Sequence, residues 1–400
     1  MRVKRYRRVH YVHPAARAKK ASTEGKQAFA IAAISFIVMA AFFSYINFNN
    51  SIPSSNTSSY KRGSMAKVNH RSNKKAVASN SKSTKSSSLP VSSFNAGVAI
   101  KVPTTVPTLP PPAWLKLPLY ADLDNDAVQY ANANPTATGS DLIKTEGEVP
   151  SSMWFGDWTP DVESAVSSYV IAAAQAQAVP VITLYDIPLR DCSGGYSSGG
   201  ASSYSAYQSW IQSVADGIGR HTSVVVLEPD ALADLDCLAA SDQSNRLAAL
   251  ASAVTTLKLS TDATVYIDAG NPDWQTAATM ASRLNNANIA MADGFSLNVS
   301  NYQSTGSNQL YGNEISRLVG GKHFIIDTSR NGNDDFNAAN WCNAPSAALG
   351  SRPTVNTGDY LNDALLWIKV PWESDGTCNG GPAAGSDNWP FAISLAENAE

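Results

Sequence analysis

Histidine and cysteine are both scarce in this chain, with five and four among 400 residues, and only His221 and His323 lie beyond residue 110. Cys192, Cys237, Cys342 and Cys378 contain no CxxC pair and have no histidine at ligand spacing, which argues against zinc or another metal centre. The same shortage weakens a serine hydrolase. Gly195–Gly199 matches GxSxG, but that elbow must join a strand directly to a helix, and Ser197 lies eleven residues past Asp186 in a Gly/Ser loop. Both histidines sit where apolar runs begin, at the opposite end from the acid-rich run ends. No GxGxxG follows the first strand candidate and no GxxxxGK[ST] occurs, so nucleotide binding has no support.

Charge is missing in two stretches. From residue 27 to 60 there is none, and 28–48 is almost wholly apolar, after a tail (1–26) with nine Lys/Arg and one acid. About 20 apolar residues cross a bilayer, and the basic flank stays in the cytoplasm. The expectation is a transmembrane signal-anchor over 27–48 with the rest extracellular and membrane-anchored, or secreted if the segment is cleaved. Residues 49–110 carry no Asp or Glu, nine Lys/Arg, many Ser, Thr and Asn, and end in PTTVPTLPPP. Such a composition buries no core and reads as a disordered spacer.

Residues 111–400 reverse the balance, with twelve Lys/Arg against thirty-two Asp/Glu, near −20 in a chain of −3 overall. That excludes nucleic acid as a partner. All four cysteines fall here, and an even count outside the cell suggests two disulfides in one of three pairings. Short apolar runs at 117–121, 153–156, 181–186, 224–228, 264–269, 294–299, 323–327 and 365–370 alternate with Ala-rich helical stretches such as 162–178, 202–218, 242–257 and 273–286. Strand–helix alternation gives a parallel α/β sheet. Seven or eight units in this length fit a β/α barrel, for which about 250 residues is usual.

The runs end in chemistry: Trp154 and Asp157, then Tyr185, Arg190 and Asp191, then Glu228 and Asp230, Asp268, Asn298, Asp327 and Arg330, and finally Lys369, Glu373 and Asp375. In a barrel these converge on one face. Singly, any of them could cap a helix. Together, many carboxylates, a few cations, scattered tryptophans and no histidine suit glycosidic bond cleavage, which needs one protonated carboxyl and a second carboxylate across the bond. Burial and like charges hold a proton on one of a pair, so Asp230 is expected as the acid and Asp191 as the ionised neighbour. Trp154, Trp158, Trp274, Trp341, Trp367 and Trp372 are available as flat sugar platforms, with Trp367 expected in the core.

Several blocks resemble glycoside hydrolase family 6, the cellulases and cellobiohydrolases. YDIPLRDC with its Gly/Ser loop and VVVLEPDALA resemble the two signatures. YIDAGNPDW, GFSLNVSNY, HFIIDTSRNGN, WCNAPSAALG with PTVNTGD, and WIKVPWESDGTCNGGPAAG follow in the family's order. The resemblance covers roughly 112–400 and implies a distorted parallel β/α barrel of about seven strands, inversion of configuration and no cofactor. It implies general acid Asp230, supporting Asp191, a debated base Asp375, Tyr185 pressing on a distorted sugar, and Ser197 holding the attacking water. Substrate-binding or site-shaping roles fall on Trp154, Asp268, Trp274, Asn298, Arg330, Trp341, Lys369 and Glu373. The implied disulfides are Cys192–Cys237 and Cys342–Cys378.

Two departures stand out. Asn271 occupies the place of the family's histidine in DAGH, and Trp372 that of the glycine in PGES, where a bulky residue is expected to narrow the cleft or shift Asp375. The stretches after 264–269 and 323–327 look short, so an open cleft and internal cleavage of β-1,4-glucan by a monomeric endoglucanase are expected. The alternatives are a cellobiohydrolase or a weakened glucan-binding homologue.

Overall fold

The computed structural model describes residues 111–333 and 341–399; the expected tail (1–26), anchor (27–48) and spacer (49–110) lie outside the described residues. Among the described residues no helix is long and apolar enough to cross a membrane.

Seven strands form one parallel sheet in chain order: β1 (Met153–Phe155), β2 (Val181–Leu184), β3 (Val224–Leu227), β4 (Thr264–Asp268), β5 (Gly294–Leu297), β6 (His323–Asp327) and β7 (Asn362–Leu366). Helices α1 (Asp126–Ala133) and α2 (Ser140–Gly147) precede the sheet, and α8 (Trp389–Glu397) follows it. Between successive strands from β1 to β6 run α3 (Val162–Gln175), α4 (Tyr204–Ile218), α5 (Ala240–Ser260), α6 (Ala277–Asn286) and α7 (Thr305–Leu318). Side chains of Asp161, Ser203, Thr276 and Ser304 accept backbone N–H bonds at the starts of α3, α4, α6 and α7.

Strand alternation sorts the apolar side chains onto two faces. Val181, Val224, Val226, Tyr266, Ile325, Ala364 and Leu366 pack inside the curl. Ile182, Leu184, Val225, Leu227, Val265, Ile267, Phe295, Phe324 and Ile326 pack outward against helix residues such as Val166, Ile211, Leu250 and Met280. Both faces are covered, which explains why the strands are continuous apolar runs. The sheet curls until its edges meet just outside β1 and β7, where Ser151 pairs in parallel with Trp367. There the Ser152 N–H donates to the Trp367 carbonyl at 2.9 Å and Trp154 Nε1 to Ile368 O at 2.8 Å. The expected distorted barrel of seven strands is thus a sheet closed at a single point.

Two strand expectations change. The run at 117–121 makes only a bridge, Leu119 with Val179, because Pro118 has no N–H to give a ladder. The last strand starts at Asn362, not 365, because the buried Asp363 is satisfied by Tyr266 Oη (2.6 Å) and His323 Nδ1 (2.7 Å). His323 opens β6, at the far end from the acids, as expected. Both implied disulfides are present, with Cα–Cα distances of 5.9 Å for Cys192–Cys237 and 6.1 Å for Cys342–Cys378.

Candidate active site

The strand ends open into a cleft of about 390 Å³ lined by Trp154, Tyr185, Asp191, Ser197, Asp230, Asn271, Trp274, Trp341, Lys369 and Asp375. Asp230 follows the β3 end in a left-handed conformation (φ +69°), two residues after Glu228, also left-handed (φ +52°). Such backbone costs of order 1–3 kcal/mol per residue and needs outside support. Glu228 is fully buried and accepts N–H bonds from Asp186 and Ile187, each at 3.0 Å, so it faces the backbone of the neighbouring turn. Burial pushes its carboxyl up to about 8, against those two N–H bonds. Asp230 is held by its own N–H, which donates to Asp268 Oδ1 at 2.9 Å. Asp268 is buried and also accepts from Gly270 N–H (3.0 Å) and Ser296 Oγ (3.1 Å); burial pushes its carboxyl up to about 6. Burial, followed by the charges of Asp268, Asp234, Asp191 and Asp375, holds the Asp230 carboxyl well above the usual carboxylate range.

Across the cleft Asp375 is the opposite case. Burial would raise its carboxyl, but the charges of Arg330 and Lys369, with the hydrogen bonds from Arg330 and the Asn343 N–H, pull it below the ordinary value. Arg330 grips both oxygens, at 2.9 and 3.0 Å. Tyr302 Oη (2.6 Å) and the Asn343 N–H (2.9 Å) add donors to Oδ2. Arg330 lies over the Tyr302 ring at 4.5 Å. The site therefore pairs a carboxyl whose hold on its proton is strengthened by burial and like charges with one whose hold is weakened by Arg330 and Lys369.

The loop after β2 is tethered by Arg190. Its guanidinium donates to the carbonyls of Ser197 (2.8 Å) and Tyr185 (3.0 Å), pairs with Asp157 at 2.9 Å, and stacks on Tyr185 and Trp158. Asp191 accepts the Ser197 N–H. Gly200 is required here (φ +93°), because a Cβ would collide with the Ile187 carbonyl. Buried Arg246 of α5 donates to the carbonyls of Pro188, Leu189 and Ala231, joining the β2 and β3 loops. Tyr185 is buried and packs edge-on to Trp154 at 5.4 Å. Trp274 and Trp341 are 38 % and 44 % exposed, as sugar platforms require.

Of the expected site residues, Asp268, Asn298 and Arg330 are buried behind the cleft lining and hold other groups, the site-shaping half of their expected role. Asn298 uses its side chain on the Asp327 carbonyl (2.9 Å) and the Gln303 N–H (3.2 Å). Glu373 also stays off the lining and pairs with Lys369 Nζ at 3.2 Å. Trp372 does not narrow the cleft. It is buried with Ala127, Ile143, Val370 and Ala392, in a side core of α1, α2 and α8. Trp367 is core, as expected. Asn271 does line the cleft, its Oδ1 accepting the Asp273 N–H at 3.0 Å. Sequence reasoning missed Ser300, Asn301 and Gln303 on the lining and Tyr302 and Asn343 behind it. The polar run after β5 was the available signal for four of these.

Residues 114–399 match the family model described as glycosyl hydrolases family 6. Endoglucanase A of Cellulomonas fimi is 45 % identical over 269 residues, which are 66 % of this chain and 58 % of that protein, so the chain spans under two thirds of that relative. Endoglucanase 1 of Streptomyces halstedii is 40 % identical, covering 69 % and 86 % of the two chains. Two more distant relatives, from Aspergillus niger at 32 % identity and Neosartorya fischeri at 29 %, are named probable 1,4-β-D-glucan cellobiohydrolases. Among solved structures, an endoglucanase from Mycobacterium tuberculosis in complex with a thio-linked cellobioside is 44 % identical, with a TM-score of 0.67 over 71 % of this chain and 97 % of that one. With the matched region covering the whole barrel and both walls of the cleft, the chain belongs to glycosyl hydrolases family 6.

Proposed function

We propose that the protein is an inverting endo-β-1,4-glucanase in which Asp230 is the general acid. The observation that carries this reading is the place of the Asp230 carboxyl, on the cleft lining and among four other carboxyl groups that, with burial, push its proton affinity up. Protonating the glycosidic oxygen from such a group is the step that the uncatalysed reaction lacks. Asp191 stabilises the oxocarbenium-like charge beside it, Tyr185 presses on the sugar, and Ser197 orients the attacking water. Asp375, kept ionised by Arg330 and Lys369, is the final acceptor of the attacking water's proton, which reaches it through a second water while Asp230 gives its own proton to the leaving oxygen. Trp154, Trp274 and Trp341 carry sugar faces and Lys369 reaches hydroxyls. The exposure of Trp274 and Trp341 and the endoglucanase names of the relatives at 40–45 % identity support internal cleavage. The second reading, a cellobiohydrolase, rests on the names of the more distant relatives. The protein works as a monomer without a cofactor, outside the cell and anchored by residues 27–48.

Asp230→Ala is expected to lose roughly 10²-fold or more in kcat on soluble β-glucan, with wild type releasing the α-anomer by NMR. An undiminished rate, or β-anomer as first product, refutes the reading. Wild type is expected to thin carboxymethyl-cellulose rapidly. Cellobiose release with unchanged viscosity selects the cellobiohydrolase.

A further inference from the structure

Asp234 is a buried carboxylate outside the residues assigned above. It lies in the 3₁₀ turn Ala233–Cys237, one turn past Asp230, and its N–H donates to the Asp230 carbonyl at 2.8 Å. The side chain is 4 % exposed. Its Oδ2 accepts the Ser193 N–H at 3.2 Å, and Cys192 Sγ lies 3.5 Å away. Ser193 belongs to the loop that carries Asp191 and Ser197, so one carboxylate holds that loop and stands a single turn from the acid.

We propose that Asp234 is a positioning residue of the reaction, coupling the docking of the Asp191–Ser197 loop to the protonation of Asp230. The inference rests on Asp230 being the acid. Among the charges that raise the Asp230 carboxyl, that of Asp234 ranks after Asp268 and ahead of Asp191 and Asp375. Those groups reach Asp230 from the ends of β4, β2 and β7, and Tyr185 faces it from the β2 side. The charge of Asp234 also favours the charged form of Arg246 of α5, which burial disfavours. The nearby Asp236 turns outward to Arg283 at 2.7 Å and plays no part. The Cys192–Cys237 disulfide links the two segments that the carboxylate joins, so loop and acid are held as one unit.

The sign of the effect is definite. A general acid works while protonated, and a neighbouring negative charge keeps it so to higher pH. The pH profile of kcat/KM on soluble β-glucan is compared for wild type, Asp234→Asn, Asp234→Ser and Asp234→Glu. In Asp234→Asn the amide oxygen still accepts the Ser193 N–H while the charge is gone. The alkaline limb is expected to fall by about half to one pH unit, a three- to tenfold loss on that side, with little change at the acid side. Asp234→Ser removes the docking oxygen as well and adds a higher KM, and Asp234→Glu restores the alkaline limb. A folded, active neutral variant with an unmoved alkaline limb, or one reduced equally at every pH, overturns the coupling. If instead Asp230→Asn keeps wild-type activity, it is the acid assignment that falls.

Discussion

Two cations, led by the Arg330 guanidinium and joined by Lys369, set the two carboxyls of the cleft apart in their hold on a proton. Asp230 and Asp375 are both partly buried on the cleft lining, and burial raises each, yet only Asp375 has Arg330 on both oxygens. An opposite charge at hydrogen-bond distance outweighs desolvation, whereas like charges add to it. Arg330→Met leaves a buried carboxylate without its partner and is expected to cost about 3–5 kcal/mol at neutral pH, read as a lower urea midpoint. Because the folded carboxyl of Asp375 lies below its ordinary value, its stabilising contribution is present above about pH 4 and is lost as pH falls. The gap between wild type and variant therefore narrows on acidification. A midpoint unchanged at pH 7 contradicts this account. The residue types of the site were legible because charged groups at the ends of apolar runs have few structural explanations. Whether Asp268 and Arg330 lie on the cleft or beneath it was not, since a charged side chain has the same spelling in either place.

At the level of elements, Trp372 shows how a neighbour in sequence can belong to another part of the fold. It stands one residue from Glu373 and three from Asp375 but is buried with α1, α2 and α8. Trp372→Gly removes a whole indole from that side core and is expected to cost about 3–5 kcal/mol, lowering the thermal midpoint while kcat on soluble β-glucan stays within about threefold. A variant of unchanged stability and sharply altered kcat would restore the view that this residue shapes the cleft. The strands from β2 to β6 were legible because they are buried on both faces and read as unbroken apolar runs. The start of β7 was hidden, since Asn362 and Asp363 look like loop residues until Tyr266 and His323 supply their partners. Helix α7, TGSNQLYGNEISRL, carries two glycines and no alanine, a composition that hides a helix held by packing rather than propensity.

For the whole molecule, charge is divided by segment: a basic, acid-poor start and a barrel region near −20. On the proposed function, that division sets a basic start against an anionic membrane surface and an acidic region on a neutral polymer. If residues 27–48 anchor the protein, cellulase activity of cells expressing the full chain sediments with membranes and is released by detergent but not by high salt. Release by salt alone, or activity wholly in the medium at the size of a cleaved chain, contradicts the anchor. The two disulfides act at this scale too, since each ties a cleft-wall loop to a distant segment, across 45 and 36 residues of chain.

The sequence by itself determined the parallel α/β order and the carboxylates at the strand ends, because apolar runs and the charges that end them are local features. It also marked off the acidic barrel region from what precedes it, since composition needs no coordinates. Only the tertiary structure supplied the partners that push the Asp230 carboxyl up and the Asp375 carboxyl down, and decided which acids lie behind the wall rather than on it and that Trp372 is core. Those outcomes depend on burial and on partners brought from strands far apart in the chain, and a carboxyl's affinity for its proton is set by what folding places within a few ångströms of it.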